Sequence, residues 1–385
     1  MKNKIWKKAA RLIAAVLFLT VAVSAGGMRG PDGRPMVLAA PGSAKTGQST
    51  QGGDTSDGSQ AEVHFIDVGQ GDATLIKCGE HAMLIDAGDN DKGMTVQMYL
   101  KKQGVEKLDY LVLTHPDADH IGGADVIITK FSVGRVFMSD YEKDNKTYRE
   151  VIQALDDKKL KWSTPKPGTS YSLGTAKFTI LAPVESYEDP NNSSIALLFQ
   201  NGENRFLFTG DAQEESEQDI LDSGRFVKAD VYKVGHHGSD TSSGQDFLDA
   251  VSPKWAVISC EEGNSYGHPH AAVLNSLRAM GVEVFRTDEQ GSIIAWSDGK
   301  KITWNSASSD TWQAGERTGS AAQNAKNSQK SGAETKGAYI GNANNGKLHR
   351  ATCSKLPQEK NRVPFDTKEE AMQAGYDDLC KLCKP

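Results

Sequence analysis

Apolar segments that end directly in histidine or aspartate recur along the middle of this chain. The densest case follows the segment LVLT at residues 111–114, where metal-binding residue types fill four of the next six positions: His115, Asp117, Asp119 and His120. Later segments are followed by residues of the same types, namely Asp211, His236, His237, His268 and His270. A polar loop would explain any one of these groups. Their repetition favours a metal centre where several strand ends meet.

The amino-terminal residues have the pattern of an export signal. Basic residues precede an apolar segment at residues 12–23, and the small residues Ser24 and Ala25 follow it. The segment is shorter than the about 20 residues that cross a bilayer. We therefore expect a signal peptide at residues 1–25 and a secreted protein with no stable membrane span after cleavage. An uncleaved anchor is the alternative.

Two further stretches contain too few large apolar residues to form a core. Residues 26–60 and 306–336 are rich in Gly, Ser and other small or polar residues, and we expect both to be disordered linkers. Residues 61–305 between them alternate short apolar strands with amphipathic helices. This pattern predicts an α/β domain with two sheets packed face to face and helices outside.

The five cysteines fall into two sets. Cys78 and Cys260 each end an apolar strand and are expected to be buried thiols, with a disulfide between them as the alternative. The other three lie near the C-terminus with one histidine, and the set is His349, Cys353, Cys380 and Cys383. Its spacings are typical of a closed structural zinc site. Surface disulfides are the alternative in an extracellular protein.

The order of short motifs in residues 61–306 resembles the metallo-β-lactamase superfamily. The motifs are DVGQGDATLI, LIDAG, THPDADHIGG, FTGD, KVGHHGS and YGHP. Within that superfamily, the chain resembles the hydrolase domain of ComEC-type DNA-uptake proteins and their stand-alone relatives. The resemblance implies an αββα sandwich with the site between the two sheets.

The resemblance also implies the metal ligands. They are His115, Asp117, Asp119, His120, the bridging carboxylate Asp211, and His237. Asp86 matches the aspartate that braces the ligand loop. Two departures from the superfamily pattern concern the first metal site, because Asp117 replaces a histidine and residues 191–194 stand where another histidine is usual.

These departures predict a particular metal preference. Carboxylate and amide ligands suit hard cations, so the first site should accept Mn²⁺ or Mg²⁺ better than Zn²⁺ alone. The second site, formed by Asp119, His120, Asp211 and His237, should hold zinc or manganese. We expect one or two Zn²⁺ or Mn²⁺ ions, one held firmly and one labile.

The chemistry that such a site implies is hydrolysis of an ester. Metal ions activate water and neutralise developing charge, and a pair of ions suits phosphodiesters. We expect Asp119 to orient or deprotonate the water. Further catalytic or phosphate-holding roles are expected for Lys233, His236 and His268, and substrate binding for Ser239 and Asn264. Capping of loops is the structural alternative for each of these residues.

Residues 337–385 resemble the Ada-type zinc-binding domain over about residues 339–385. That family has four cysteines, and His349 replaces the methyl-accepting one, so the resemblance implies zinc binding without alkyl transfer. The module carries eight Lys and Arg against six Asp and Glu, on a chain of net charge −6. A slightly basic module favours an auxiliary DNA contact, and a solvated surface explains the same charges.

The expected function is that of a secreted metal-dependent hydrolase, a phosphodiesterase or nuclease acting on extracellular DNA. Hydrolysis of another ester, such as a cell-wall-polymer phosphodiester, is an alternative that the same site would serve. Hydrolysis of β-lactams is disfavoured because the first site lacks its imidazoles. A non-catalytic DNA-binding or surface-binding protein on a hydrolase scaffold is the alternative from another class.

Overall fold

The computed structural model describes residues 60–316, 339–342, 346–353, 355–358, 361–365, 367–374, 376, 378–381 and 383. The predicted signal peptide, nearly all of the first predicted linker and most of the second lie outside these residues. Within the described part of the chain, no helix combines the length and apolar character that crossing a membrane requires.

The first sheet contains eight strands, in the order β15-β14-β1-β2-β3-β4-β5-β6. Their bounds are β1 (Ala61–Phe65), β2 (Thr74–Cys78), β3 (His81–Ile85), β4 (Lys107–Leu113), β5 (Ser132–Met138), β6 (Trp162–Ser163), β14 (Ile293–Ser297) and β15 (Ile302–Trp304). Strands β3 to β6 run parallel to one another. The residues that follow β3 and β4 therefore meet at one edge of this sheet.

The second sheet contains seven strands, in the order β13-β12-β11-β10-β9-β8-β7. Their bounds are β7 (Ser170–Leu173), β8 (Ala176–Ala182), β9 (Ala196–Asn201), β10 (Asn204–Phe208), β11 (Val231–Lys233), β12 (Trp255–Ile258) and β13 (Glu283–Arg286). Strands β10 to β13 are parallel, so the residues after β10, β11 and β12 also share an edge.

The two sheets pack face to face on an apolar core. Val112 points into this core, whereas its neighbours Leu111 and Leu113 face the helices that cover the first sheet, as the two-residue period of a strand requires. Phe65 from the first sheet and Phe208 from the second stack in the core, with ring centroids 6.1 Å apart. The core thus draws on both sheets.

Helices cover both outer faces of the sandwich. Those over the first sheet are α1 (Gly93–Lys102), α3 (Ala124–Lys130) and α4 (Lys146–Asp157). Those over the second sheet are α5 (Glu214–Asp222), α6 (Gln245–Val251) and α7 (Ala271–Ala279). The short helices α2 (Ala118–Ile121) and α8 (Thr287–Gln290) follow strands β4 and β13. The αββα arrangement expected from the sequence is confirmed.

Residues 306–316 pack against the domain, although they lie in a segment expected to be a linker. The backbone N–H of Ser309 donates to the carbonyl oxygen of Val284 at 2.7 Å. Trp312 packs on the apolar cluster of the second sheet, and the guanidinium of Arg278 lies 5.6 Å from the centroid of its ring. Hydrogen bonds to the side chains of Arg286, Glu289 and Gln290 also hold this segment, although its residues are mostly small and polar.

The C-terminal module contains a four-stranded sheet in the order β18-β16-β17-β19. Its elements are β16 (Tyr339–Asn342), β17 (Lys347–Arg350), β18 (Arg362–Phe365), α9 (Lys368–Gln373) and β19 (Asp378–Leu379). Cys380 directly follows β19, and its backbone N–H donates to the carbonyl oxygen of Leu348 in β17 at 2.9 Å. This parallel pairing brings Cys380 close to His349.

Candidate metal centre

The residues that follow strands β4, β10 and β11 converge at the edge of the sandwich. His115 and His120 follow β4, Asp211 follows β10, and His237 follows β11. All four side chains are buried. Ligand-type atoms lie within 4.8 Å of one another in overlapping groups, one of His115, His120 and Asp211, another of Asp119, His120 and His237. Asp72 completes two more such groups, one with Asp211 and His237 and one with Asp86 and His120.

Asp211 links these groups. Its Oδ2 is 3.2 Å from Nε2 of His120 and 3.5 Å from Nε2 of His237. The same oxygen is 3.9 Å from Nε2 of His115. On the other side, Oδ2 of Asp119 is 3.3 Å from Nε2 of His237. One carboxylate therefore faces every imidazole of the cluster, as a ligand shared by two ions would.

Two buried polar atoms in this cluster have no hydrogen-bond partner among the described residues: Nε2 of His115 and Oδ1 of Asp211. A buried group left unpaired costs about 1–3 kcal/mol, and native proteins usually satisfy such groups. Imidazole nitrogen and carboxylate oxygen are ligands for Zn²⁺, Mn²⁺ and other divalent ions. The residues present therefore fit a metal ion.

Asp86 lies behind the cluster and fixes one of its imidazoles. Its Oδ2 accepts from Nδ1 of His120 at 2.8 Å and from Oγ1 of Thr114 at 2.7 Å. Its Oδ1 accepts from the backbone N–H of Thr114 at 2.8 Å. Because Nδ1 of His120 is held in this way, Nε2 is the nitrogen presented to the cluster.

The backbone at the site is strained. Asp86, His236 and His237 have φ values of 57°, 50° and 55°, which lie in the left-handed region. For residues other than glycine, this conformation costs of order 1–3 kcal/mol and is concentrated at functional sites. The turns that orient these side chains therefore cost conformational energy, which the surrounding fold must offset.

Opposite charges dominate the electrostatics of the cluster. Burial lowers the pKa of His237, but the charge of Asp211 and the hydrogen bond to Asp119 outweigh burial and raise it to about 10. Burial raises the pKa of Asp211, but the charges of His120 and His237 hold it well below its usual range. The carboxylates that hold a proton on His237 would equally hold a divalent cation in its place.

Asp117 lies apart from both ligand groups. Its Oδ1 is 2.6 Å from Nζ of Lys143, which lies in the segment between β5 and α4, and both side chains are about one-third exposed. In the described part of the chain, the ligand groups contain His115, Asp119 and His120 but not Asp117. The ion pair with Lys143 accounts for this placement, and metal binding by Asp117 stays a prediction.

Lys233, expected to hold substrate phosphate, is only 3% exposed. Its Nζ lies 2.9 Å from both carboxylate oxygens of Asp72. Burial raises the pKa of Asp72, but the charges of Lys233, His237 and His120 together outweigh this effect and lower it. The sequence interpretation missed Asp72, although a lysine ending an apolar strand needs an acidic partner if it is buried.

His236 and His268 lie beside the cluster. Nε2 of His236 is 3.7 Å from Oδ2 of Asp211, and its side chain is 20% exposed. The ring of His268 lies between those of His237 and Tyr266. Burial and the charges of His237 and His270 lower the pKa of His268 to about 2, so its imidazole is neutral at pH 7.

The two residues expected to bind substrate make local contacts. Oδ1 of Asn264 accepts from the backbone N–H groups of Tyr266, Gly267 and His268, and its Nδ2 donates to two carbonyl oxygens. Ser239 is buried, with its Oγ 3.1 Å from Oγ1 of Thr241. These contacts match the loop-capping alternative, and substrate binding by Asn264 and Ser239 stays a prediction.

A second cluster lies in the C-terminal module. The ligand-type atoms of His349, Cys353, Cys380 and Cys383 lie within 4.8 Å of one another. Sγ of Cys353 is 4.0 Å from Sγ of Cys380, close to the about 3.8 Å between two thiolates on one tetrahedral zinc ion. The three cysteines are free thiols, so the disulfide alternative is not adopted here. Cys78 and Cys260 are likewise buried free thiols.

Comparison with known proteins places this architecture in a family. The profile of the Metallo-beta-lactamase superfamily matches residues 66–261. ComE operon protein 3 of Bacillus subtilis is 34% identical over 256 residues, which are 61% of this chain and 33% of that protein. Competence protein ComA of Neisseria gonorrhoeae is 32% identical over 61% of this chain and 32% of its own length.

A third relative, Recombination protein 2 of Haemophilus influenzae, is 31% identical over 60% of this chain and 28% of its own length. The chain thus spans about a third of the length of these relatives. The resemblance of its sandwich domain to competence proteins is confirmed. The motif order, the two packed sheets and the profile match agree, and this chain belongs to the metallo-β-lactamase superfamily.

Proposed function

We propose that this protein is a secreted, metal-dependent phosphodiesterase that cleaves DNA. The observation that carries the proposal is a pair of ligand groups that share His120. Asp211 belongs to the first group and lies 3.5 Å from His237 of the second. Two adjacent ions suit an in-line displacement at phosphorus, where both the attacking and the leaving oxygen need charge neutralisation. The names of the relatives, competence and recombination proteins, support DNA as the substrate class.

His115, Asp119, His120, Asp211 and His237 would hold the ions. With a divalent ion held by these residues, the site would activate water near neutral pH and neutralise charge on the phosphate. Asp119 is the carboxylate suited to orient the attacking water and accept its proton at Oδ2, because its side chain is 29% exposed while that of Asp211 is buried. His236 faces the same cluster from the solvent side and would donate a hydrogen bond from Nε2 to a phosphate oxygen.

The rim of the site offers an aromatic surface. The ring of Tyr266 is stacked on that of His268, with centroids 5.5 Å apart and planes at 15°, and the residue is 54% exposed. The ring of His268 in turn stacks on that of His237, with centroids 6.0 Å apart, so the ring of Tyr266 lies beside the cluster. Exposed aromatic rings next to a phosphate-binding site are where single-stranded nucleic acids stack their bases.

We also propose that His349, Cys353, Cys380 and Cys383 hold a structural Zn²⁺ and that the module they stabilise contacts DNA. A buried His and Cys set with the spacing of a tetrahedral site supports the zinc. The slight excess of basic residues in residues 337–385 supports the DNA contact. Export through the predicted signal at residues 1–25 would place both activities outside the cell membrane.

A gel assay with the metal-free protein tests the proposed function. Mn²⁺, Mg²⁺ or Zn²⁺ is added, and single-stranded, linear and circular DNA are followed, with Asp119→Ala and Asp211→Asn as site variants. Asp157→Ala, which removes an exposed carboxylate on α4, is the matched control. We expect metal-dependent cutting by wild type and the control only. A protein that binds metal but cuts no DNA would overturn the proposal and direct the search to wall-polymer phosphodiesters.

A further inference from the structure

A buried ion pair joins the two sheets directly behind the candidate ligands. Both carboxylate oxygens of Asp72 lie 2.9 Å from Nζ of Lys233, and the two side chains are 8% and 4% exposed. Lys233 is the last residue of β11 in the second sheet, whereas Asp72 precedes β2 in the first. The pair therefore crosses the interface between the sheets at the edge where the metal cluster lies.

Each partner contacts a segment that carries a candidate ligand. The backbone N–H of Asp72 donates to the carbonyl oxygen of Asp119 at 3.0 Å. Oδ1 of Asp72 lies 3.6 Å from Nδ1 of His237, which is also 3.0 Å from the carbonyl oxygen of Ser259. The ion pair thus contacts the segments that carry Asp119 and His237, whose Oδ2 and Nε2 lie 3.3 Å apart in one ligand group. Asp72 also belongs to two of the candidate ligand groups, whereas Lys233 belongs to none of those found in the described residues.

The backbone at Gly71, next to Asp72, packs tightly against the loop that carries Asp119. Gly71 has a φ of 142°, and a Cβ added there would lie 2.4 Å from the carbonyl oxygen of Asp119. The loop that carries Asp72 is therefore pressed against the backbone of the ligand loop. A shift of the Asp72 side chain would move the segment that positions Asp119.

Stability alone does not account for two charges at this place. Desolvation largely offsets the attraction of a buried ion pair, and well-packed apolar residues would stabilise the interface equally well. What an ion pair adds is orientation, because Nζ of Lys233 donates to Oδ2 of Asp72 and leaves Oδ1 facing His237. Oδ1 has no hydrogen-bond partner among the described residues. We therefore explain the ion pair by its effect on the positions of Asp119 and His237.

We propose that the Asp72–Lys233 ion pair is a positioning device that sets the separation of Asp119 and His237, and with it the affinity of the site for its metal ion. The inference rests on the metal binding that forms part of the proposed function. It gives Lys233 a role through His237 and Asp119, in place of the substrate contact expected from the sequence.

The test measures Mn²⁺ affinity of the metal-free full-length protein by titration calorimetry. The variants are Asp72→Asn, Lys233→Met, the double variant and Lys233→Arg. Asp288→Asn is the matched control, because Asp288 forms an equally buried ion pair with Arg286, 2.6 Å apart, and belongs to none of the ligand groups found in the described residues. The electron paramagnetic resonance spectrum of bound Mn²⁺ reports the geometry of the site independently of stability.

We expect each single variant to weaken Mn²⁺ binding about 10- to 100-fold, as loss of a group supporting a ligand does. The double variant should bind no more weakly than the worse single variant, because the two residues act as a unit. Lys233→Arg keeps the cation and should recover part of the affinity. Asp288→Asn should lower the unfolding midpoint and leave both the affinity and the spectrum unchanged.

Three outcomes would overturn the inference. If Lys233→Met binds as tightly as wild type while Asp72→Asn loses the ion, Asp72 is itself a ligand. If both variants lose only thermal stability, the pair is structural. If wild-type protein binds no ion, the proposed metal site fails together with the inference, which the wild-type titration alone reveals.

Discussion

Oδ2 of Asp86 lies 2.8 Å from Nδ1 of His120, so a buried carboxylate behind the cluster determines which nitrogen of the imidazole faces it. The carboxylate is in turn fixed by two hydrogen bonds from Thr114. Such arrangements raise the basicity of the ligand and hold its ring in place.

Replacing Asp86 by Asn should weaken metal binding about 10- to 100-fold, because the amide carries no charge and supports the His120 imidazole less well. Titration calorimetry with Mn²⁺ or Zn²⁺ would measure the change. Asp109→Asn, which alters a partly exposed carboxylate bonded to His81, serves as the control. An unchanged affinity in Asp86→Asn would show that Thr114 and the backbone suffice to orient the ring.

Glu217 should make the stability of the domain depend on pH. Burial raises its pKa from 4.5 to about 7, although its carboxylate accepts hydrogen bonds from the backbone N–H groups of Ser243 and Gly244. Because the folded pKa lies above the unfolded one, the contribution to stability is complete below pH 4.5 and is lost as pH rises through 7. The loss amounts to about 3 kcal/mol at 1.36 kcal/mol per pKa unit.

Urea unfolding of wild type and Glu217→Gln at several pH values between 4 and 8 would measure this dependence. We expect the variant to have a flatter profile over that range, whatever its absolute stability. Both proteins should be studied with the same excess of chelator, so that metal binding does not contribute. Profiles of equal slope would show that Glu217 titrates at its ordinary pKa in the folded protein.

Tyr266 should contribute to the binding of single-stranded DNA. Tyr266→Ala removes the exposed ring, and we expect KM to rise about tenfold, within the range of about 1–3 kcal/mol for one stacked base. Tyr266→Phe keeps the ring and should behave as wild type. An oligonucleotide with an abasic position is the control, because it has no base to stack; the same loss on that substrate would argue against stacking.

Cys353 should be needed for one zinc ion that is separate from the hydrolase site. Metal analysis of Cys353→Ser is expected to give one zinc per chain fewer than wild type, with the metal content of the hydrolase site unchanged. Cys260→Ala, which alters a buried thiol of the sandwich domain, is the matched control. An equal zinc content in Cys353→Ser and wild type would contradict the tetrahedral site.

The sequence predicts this fold well because ligand residues directly follow apolar strands. His115, Asp211 and His237 follow β4, β10 and β11, and parallel strands bring such residues to one edge. The alternation of strands and helices predicts two sheets packed face to face, and the family resemblance adds the position of the site between them. These features depend on neighbouring residues or on the order of motifs, so the sequence predicts them without knowledge of tertiary contacts.

The features that the sequence did not predict depend on contacts between segments that are distant in the chain. Lys233 ends an apolar strand, which is compatible with binding a phosphate, and only the packing of the two sheets reveals Asp72 as its partner. Asp117 occupies a ligand position in the motif, but Lys143 lies 2.6 Å from it. Trp312 fixes a segment whose composition is that of a linker.

The candidate ligands are divided between the two sheets, with His115, Asp119 and His120 after a strand of one and Asp211 and His237 after strands of the other. An ion held by both sets of ligands would join the two sheets, and its complete binding site would exist only after the sheets have packed together. A chain acquires such an ion where it folds, so the metal supply of that compartment would decide which ion the protein carries.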